Sequence, residues 1–133
     1  DQLEKDLGYI IEKNPKNATA LNALGYTLAD HTRRLDEALD LIQQARALSP
    51  TDPAIIDSLG WVYYRMGKID ESLKLLEEAY KVFPDPEVAA HLGEVLWQMG
   101  EHDKARDIWQ EGLQKQPASK IIKDTLDRLQ VQL

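Results

Sequence analysis

The chain has 133 residues and a net charge of −7, and it contains no cysteine. This length suffices for one domain, and the lack of cysteine excludes a disulfide framework and a cysteine-ligated metal site. The acidic balance disfavours nucleic acid as a partner, because phosphates are bound through an excess of lysine and arginine.

The first predicted element is a helix within residues 1–15, which ends at Asn14 and Pro15. Its apolar residues recur at helical spacing and predict one apolar stripe: Leu3, Leu7, Ile10 and Ile11. The segment is typical of the second helix of a hairpin, so we expect the chain to be a fragment of a longer protein. Because the stripe lacks a preceding helix to cover it, it predicts a homodimer through this helix.

Three similar segments follow, with predicted bounds 18–50, 53–84 and 86–117. Pro15, Pro50, Pro84 and Pro117 recur at intervals of 33 to 35 residues. A period of about 34 residues is typical of stacked helical hairpins. In each segment a Leu-Gly pair lies on a predicted first helix, where glycine allows close helix crossing: Leu24-Gly25, Leu59-Gly60 and Leu92-Gly93.

The second helix of each hairpin carries small or apolar residues at helical spacing, which we expect to face the first helix: Ala38, Ile42 and Ala45; Ser72, Leu76 and Ala79; Ala105, Trp109 and Gly112. The predicted N-caps of the first helices are Asn17, Asp52 and Asp85, the last two followed by proline. Gly67 and Gly100 are predicted to end two of these helices.

The last predicted element, residues 119–133, carries one apolar stripe on an otherwise polar helix. Asp127 stands where the repeats have glycine after leucine, and a charge there would block another closely packed helix. We therefore expect a capping helix that ends the stack.

The three segments resemble the tetratricopeptide repeat (TPR) family over residues 18–117. The second segment carries the pattern most fully: Ile56, Leu59-Gly60, Tyr63, Ser72, Leu76 and Pro84. The resemblance implies an all-α, right-handed superhelical solenoid of antiparallel helix hairpins in a single TPR domain. Segments 22–30 and 57–87 look, more narrowly, like outer-membrane TPR lipoproteins of proteobacteria. That similarity implies a periplasmic, outer-membrane-anchored protein that serves an envelope protease or assembly factor.

The resemblance also implies a concave groove that binds a segment of a partner protein. In helical projection, the candidate partner-binding residues are Asn22, Tyr26, Asp57, Trp61, Tyr64, Arg65, His91, Glu94 and Trp97. Large rings at positions that need not be buried suggest a ligand that covers them. Trp61→Ala is therefore expected to weaken partner binding and to cost little stability. The alternative is that these rings pack against the next helix.

The same face carries an excess of carboxylates, among them Asp30, Asp57, Glu87 and Glu94. It suits an apolar segment with basic residues better than a terminal carboxylate, which Glu87 would repel. No two histidines have the i, i+4 spacing of a helical metal site, so no metal and no cofactor are expected. No catalytic constellation or phosphate-binding loop is evident, and we expect no enzyme.

Two functions remain open from the sequence. The first is a non-enzymatic interaction module, an adaptor or scaffold. The second is a structural module through which a longer solenoid self-associates. Substitution of the groove aromatics separates the two, because self-association through end faces should survive it.

Overall fold

The computed structural model describes all of residues 1–133 and is entirely α-helical, as predicted. Eight helices follow one another: α1 (Gln2–Lys13), α2 (Ala18–His31), α3 (Leu35–Leu48), α4 (Pro53–Arg65), α5 (Ile69–Val82), α6 (Pro86–Gln98), α7 (His102–Lys115) and α8 (Lys120–Leu129). No helix has the length and apolar character needed to cross a membrane.

The helix ends form where the sequence predicts them. Asn17, Asp52 and Asp85 each accept a hydrogen bond from a backbone N–H in the first turn of α2, α4 and α6. Gly67 and Gly100 follow α4 and α6 with φ of +82° and +86°, which side chains with a Cβ rarely adopt. The turns after α4 and α6 therefore require glycine, whereas the turn after α2 uses Thr32 in extended conformation.

The helices pair as three antiparallel hairpins, α2 with α3, α4 with α5 and α6 with α7. The small and apolar residues predicted on the second helices are the buried residues of α3, α5 and α7, which confirms that face. The first helices also stack on one another, α2 on α4, α4 on α6 and α6 on α8. This stacking brings four helices to one side of the superhelix.

Glycines on the first helices let the hairpins close. A Cβ added to Gly25 would lie 2.5 Å from Ile42, and one added to Gly60 would lie 2.8 Å from Leu76. At Gly93 the added atom would lie 2.2 Å from the indole nitrogen of Trp109. Such distances are far below ordinary van der Waals contact. The Leu-Gly pairs therefore lie where the backbone of each first helix comes close to the second helix of its hairpin.

The two ends of the stack differ in how they are covered. In α1, Leu7 and Ile11 pack partly against the core of the first hairpin, whereas Leu3 and Ile10 remain 50% and 42% exposed. At the other end, α8 lies mainly against α6 and buries Ile122 and Thr125. Thus α8 occupies the place that a first helix would take in a further repeat.

Candidate functional site

A cavity of about 360 Å³ lies between the stacked first helices and α8. Its walls come from α2, α4 and α6 on one side and from α8 on the other: Tyr26, Asp30, Trp61, His91, Lys120, Ile121, Asp124, Thr125 and Arg128. We call this cavity the groove. A second cavity of about 150 Å³ lies toward the N-terminal ends of α4 and α6, and its walls include Asn22, Tyr26, Asp57 and Glu87.

A histidine in the wall of the groove bridges three helices. The Nδ1 atom of His91 on α6 lies 2.9 Å from Asp57 Oδ1 on α4, and its Nε2 lies 3.2 Å from Tyr26 Oη on α2. Asp57 and His91 are each 3% exposed, and Tyr26 is half-buried. The chain of contacts ties successive first helices together in one register.

Trp61 lies within this assembly and is only 4% exposed. Its ring stacks on His91 at 4.3 Å between centroids, and its indole N–H donates to Asp30 Oδ1 at 3.2 Å. Trp61 lines the groove, but the expectation that this position need not be buried is wrong. The alternative holds for this ring, because stacked first helices come close enough for it to fill the space between α2 and α6.

A second buried carboxylate, Glu94, lies further along α6. It accepts a hydrogen bond from Tyr64 Oη at 2.8 Å and is ion-paired with Arg128 of α8, whose Nη1 lies 3.1 Å from Glu94 Oε2. Glu94 is 3% exposed, so it too is less accessible than its place on the predicted face suggests. These contacts connect α4 to α6 and α6 to α8, and the second of them holds the wall of the groove that α8 provides.

The remaining predicted residues have different surroundings. Asn22 lines the smaller cavity, and Arg65 is exposed with its Nε donating to the carbonyl oxygen of Ala29 at 3.0 Å. Trp97 lines neither cavity: it stacks on His102 at 3.7 Å, beside α7. The expectation that Trp97 faces the groove is wrong, because the last turn of α6 places this ring against α7.

Sequence reasoning missed α8 as a wall of the groove. The sequence predicted only a capping helix here, whereas Lys120, Asp124 and Arg128 line the cavity. The repeat spacing is the sequence signal that could have identified α8 as part of the site. Arg128 follows Glu94 by 34 residues, the same separation that pairs Asp57 with His91.

The carboxylates around the histidine dominate the local electrostatics. Burial alone lowers the pKa of His91, but the charge and hydrogen bond of Asp57 outweigh burial, so the pKa lies above its ordinary value. Partial desolvation of its carboxyl group beside the buried Asp57 and His91, and then repulsion by Asp57, raise the pKa of Glu87, although the residue as a whole is exposed. Burial, followed by the charge of Asp30, also raises the pKa of Tyr26. Both causes keep the Tyr26 hydroxyl protonated.

We expect the His91–Asp57 pair to stabilise the fold more at pH 5 than at pH 9. A raised folded-state pKa means that this contribution is complete below the unfolded value of about 6.5 and is lost as the pH rises through the folded value. Asp57 on α4, Glu87 on α6 and Asp30 on α2 all favour the protonated ring.

Urea unfolding of the protein and of His91→Gln, both with EDTA and between pH 5 and 9, measures the effect. The difference in free energy of unfolding between the two proteins should shrink as the pH rises. A difference that grows with pH would contradict the assigned direction.

The groups that could hold a metal ion are Asp57, Glu87 and His91, whose ligand atoms lie within 4.8 Å of one another. The expectation of no metal considered histidine pairs on one helix. Asp57 belongs to one repeat and Glu87 and His91 to the next, so only the stacking of α4 on α6 brings the three residues together.

Comparison with known proteins agrees with this architecture. The sequence pattern of the tetratricopeptide repeat family matches residues 18–85 and residues 58–120. A TPR repeat-containing protein of Pseudomonas aeruginosa is 56% identical over 90 residues, which are 68% of this chain. The match spans 15% of the length of that relative.

Solved structures show the same fold at lower sequence identity. A thermophilic TPR protein of Thermus thermophilus has a TM-score of 0.79 at 19% identity, over 96% of this chain and 72% of that one. The protein MamA gives 0.69 at 20% identity, over 96% and 77%. The Sgt2 TPR domain of Aspergillus fumigatus gives 0.71 at 20% identity, over 85% and 76%. The chain belongs to the tetratricopeptide repeat family.

Proposed function

We propose that the chain is a non-enzymatic interaction module that holds a segment of a partner protein in the groove. The observation that carries this proposal is the cavity of about 360 Å³ with walls from four different helices. A cavity of this size with mixed apolar and polar walls suits a few side chains of a bound segment. Proteins of this family generally act as interaction modules, which agrees with the proposal.

The groove walls favour an apolar partner segment that carries basic residues. Tyr26 and Ile121 supply apolar surface, and Asp30 supplies a carboxylate that is not paired with Lys120 or Arg128, the basic residues of the walls. Arg128 is already paired with Glu94, and Lys120 lies 2.7 Å from Asp124, so the basic residues of the walls have acidic partners. Asp30 is the acidic wall residue on α2 that a basic side chain of the partner would meet.

Reversal of the charge at Asp30 tests this proposal. We expect Asp30→Lys to lower the amount of captured partner at least about tenfold, since a like charge in the groove repels a basic segment. Glu77→Lys makes the same charge change on α5, outside the groove, and should leave capture unchanged. The measurement is quantitative mass spectrometry of proteins retained from envelope extract by each immobilised variant.

Direct titration of the captured partner then distinguishes groove binding from binding elsewhere. Equal affinity of wild type and Asp30→Lys would contradict the groove as the binding surface. Circular dichroism of both variants ensures that the comparison concerns folded protein.

The cellular setting is a further part of the proposal. Similarity of segments 22–30 and 57–87 to outer-membrane TPR lipoproteins supports a periplasmic location with an outer-membrane anchor. The partner would then be an envelope protease or assembly factor. Fractionation of cells that produce the complete protein tests this: recovery in the outer-membrane fraction supports it, and recovery in the cytoplasm contradicts it.

Self-association is a second candidate function, and exposed side chains on α1 favour it. Leu3, Tyr9 and Ile10 are 50%, 62% and 42% exposed. A buried large aliphatic side chain gains about 1.5 to 3 kcal/mol relative to an exposed one, so a second copy of α1 would be a favourable cover.

Sedimentation velocity should therefore detect a concentration-dependent dimer of this chain, weaker in Ile10→Glu, whereas Asp30→Lys should dimerise normally. A monomer at high concentration, with α1 helical, would show that this face needs no cover.

A further inference from the structure

Three potential metal ligands converge at the junction of α4 and α6. One oxygen each of Asp57 and Glu87 and one ring nitrogen of His91 lie within 4.8 Å of one another. Asp57 and His91 are almost fully buried, and Glu87 is exposed beside them. A buried pair with a third ligand at the surface gives an ion a path of entry from solvent.

The spacing of the buried pair fits coordination of one ion. His91 Nδ1 lies 2.9 Å from Asp57 Oδ1, whereas two ligand atoms bound to a tetrahedral zinc ion lie about 3.3 Å apart. If these two atoms moved apart by a few tenths of an ångström, the ion could take the place of the proton that they share. That proton would leave to solvent, as is usual when a metal binds histidine.

An acceptor without a donor lies in the adjoining cavity. Asn22 Oδ1 is fully buried and has no hydrogen-bond partner. Asn22 shares the walls of the 150 Å³ cavity with Asp57 and Glu87. Burial of an unsatisfied amide oxygen is costly, and a cation or a water bound to it would remove that cost. This oxygen is independent of the three ligands and points to a ligand rich in positive charge or donors.

The hydrogen-bond partner that a metal-binding histidine needs on its other nitrogen is also in place. When His91 binds a metal through Nδ1, its Nε2 carries the proton, and Tyr26 Oη lies 3.2 Å away to accept it. Such a partner fixes the tautomer and orientation of the ring. Trp61, stacked on the imidazole at 4.3 Å, further restricts the rotation of the ring.

We propose that Asp57, Glu87 and His91 form a binding site for one divalent transition-metal ion of the zinc class. One imidazole and two carboxylates are a donor set that zinc accepts, and three protein ligands leave one position for water. The site does not depend on the proposed partner, because all three ligands belong to this chain.

The test is equilibrium dialysis of the EDTA-treated, metal-free chain against Zn²⁺. We expect one equivalent to bind, and Glu87→Gln to weaken binding at least about tenfold, since even the loss of a hydrogen-bond partner behind a ligand often costs this much. Glu77→Gln makes the same chemical change on α5 and should bind as wild type does. Glu87 is exposed, so its variant should fold, and circular dichroism verifies this.

Two further variants establish which histidine binds the ion. A His31→Gln, His102→Gln double variant removes the other histidines and should retain the bound equivalent. His91→Gln should lose it. The proposal is overturned if the wild type binds less than one equivalent, if Glu87→Gln binds as tightly as wild type, or if removal of His31 and His102 abolishes binding.

Discussion

Trp61→Ala should destabilise the fold by about 3 to 5 kcal/mol, the range for loss of a large aromatic residue from a core. The ring is buried between Tyr64 and His91, with centroids 5.0 Å and 4.3 Å away, and it donates a hydrogen bond to Asp30. Its removal would leave a cavity between three helices and would remove the ring that stacks on His91. This expectation reverses the one from sequence, in which Trp61→Ala was expected to cost little stability.

Trp97→Ala is the matched control for this prediction. Trp97 is partly exposed and stacks on the exposed His102, so its loss should cost clearly less than that of Trp61. Urea unfolding followed by far-ultraviolet circular dichroism measures both costs. A smaller free-energy loss for Trp61→Ala than for Trp97→Ala would refute the burial assigned to Trp61.

Gly93→Ala should cost about 1 to 3 kcal/mol through overpacking of the third hairpin. The new methyl carbon would lie 2.2 Å from Trp109 Nε1, and Trp109 is completely buried. Its indole also donates to the carbonyl oxygen of Ala90 at 3.4 Å. The ring therefore cannot move aside without loss of packing or of this contact.

Gly8→Ala gives the opposite expectation from the same chemical change. Gly8 lies within α1, and an added Cβ would meet nothing within 4 Å. Alanine is favoured over glycine in a helix by roughly 1 kcal/mol, so this variant should be no less stable than the wild type. Thermal unfolding of both variants separates the effects, and equal stability of Gly93→Ala and wild type would contradict the close approach of α6 and α7.

The repeating positions could be predicted from the sequence because they depend on local and hairpin packing. Gly25, Gly60 and Gly93 each face a residue of the following helix, and the small residues of that helix recur at the same period. The same packing pattern therefore occurs three times in the sequence, once in each repeat. The caps at Asn17, Asp52 and Asp85 were predictable for a similar reason, since a cap acts within its own first turn.

The site was less predictable because its contacts connect different repeats. The pairs Asp57–His91 and Glu94–Arg128 each span 34 residues and form only when stacked first helices come into register. Helical projection placed Asp57, His91 and Glu94 on one shared face, without Arg128, but could not show how closely that face is covered. These side chains therefore looked like open surface in the projection, although they form hydrogen bonds and ion pairs with one another.

Photo-crosslinking tests the groove most directly. Benzoylphenylalanine would replace Asp124, an exposed residue of α8 on the groove wall, and in a separate variant Lys74, an exposed residue of α5 outside it. After irradiation in cells, we predict a discrete adduct with a partner protein from position 124 and none from position 74. An adduct with the partner from position 74 and none from position 124 would contradict binding in the groove.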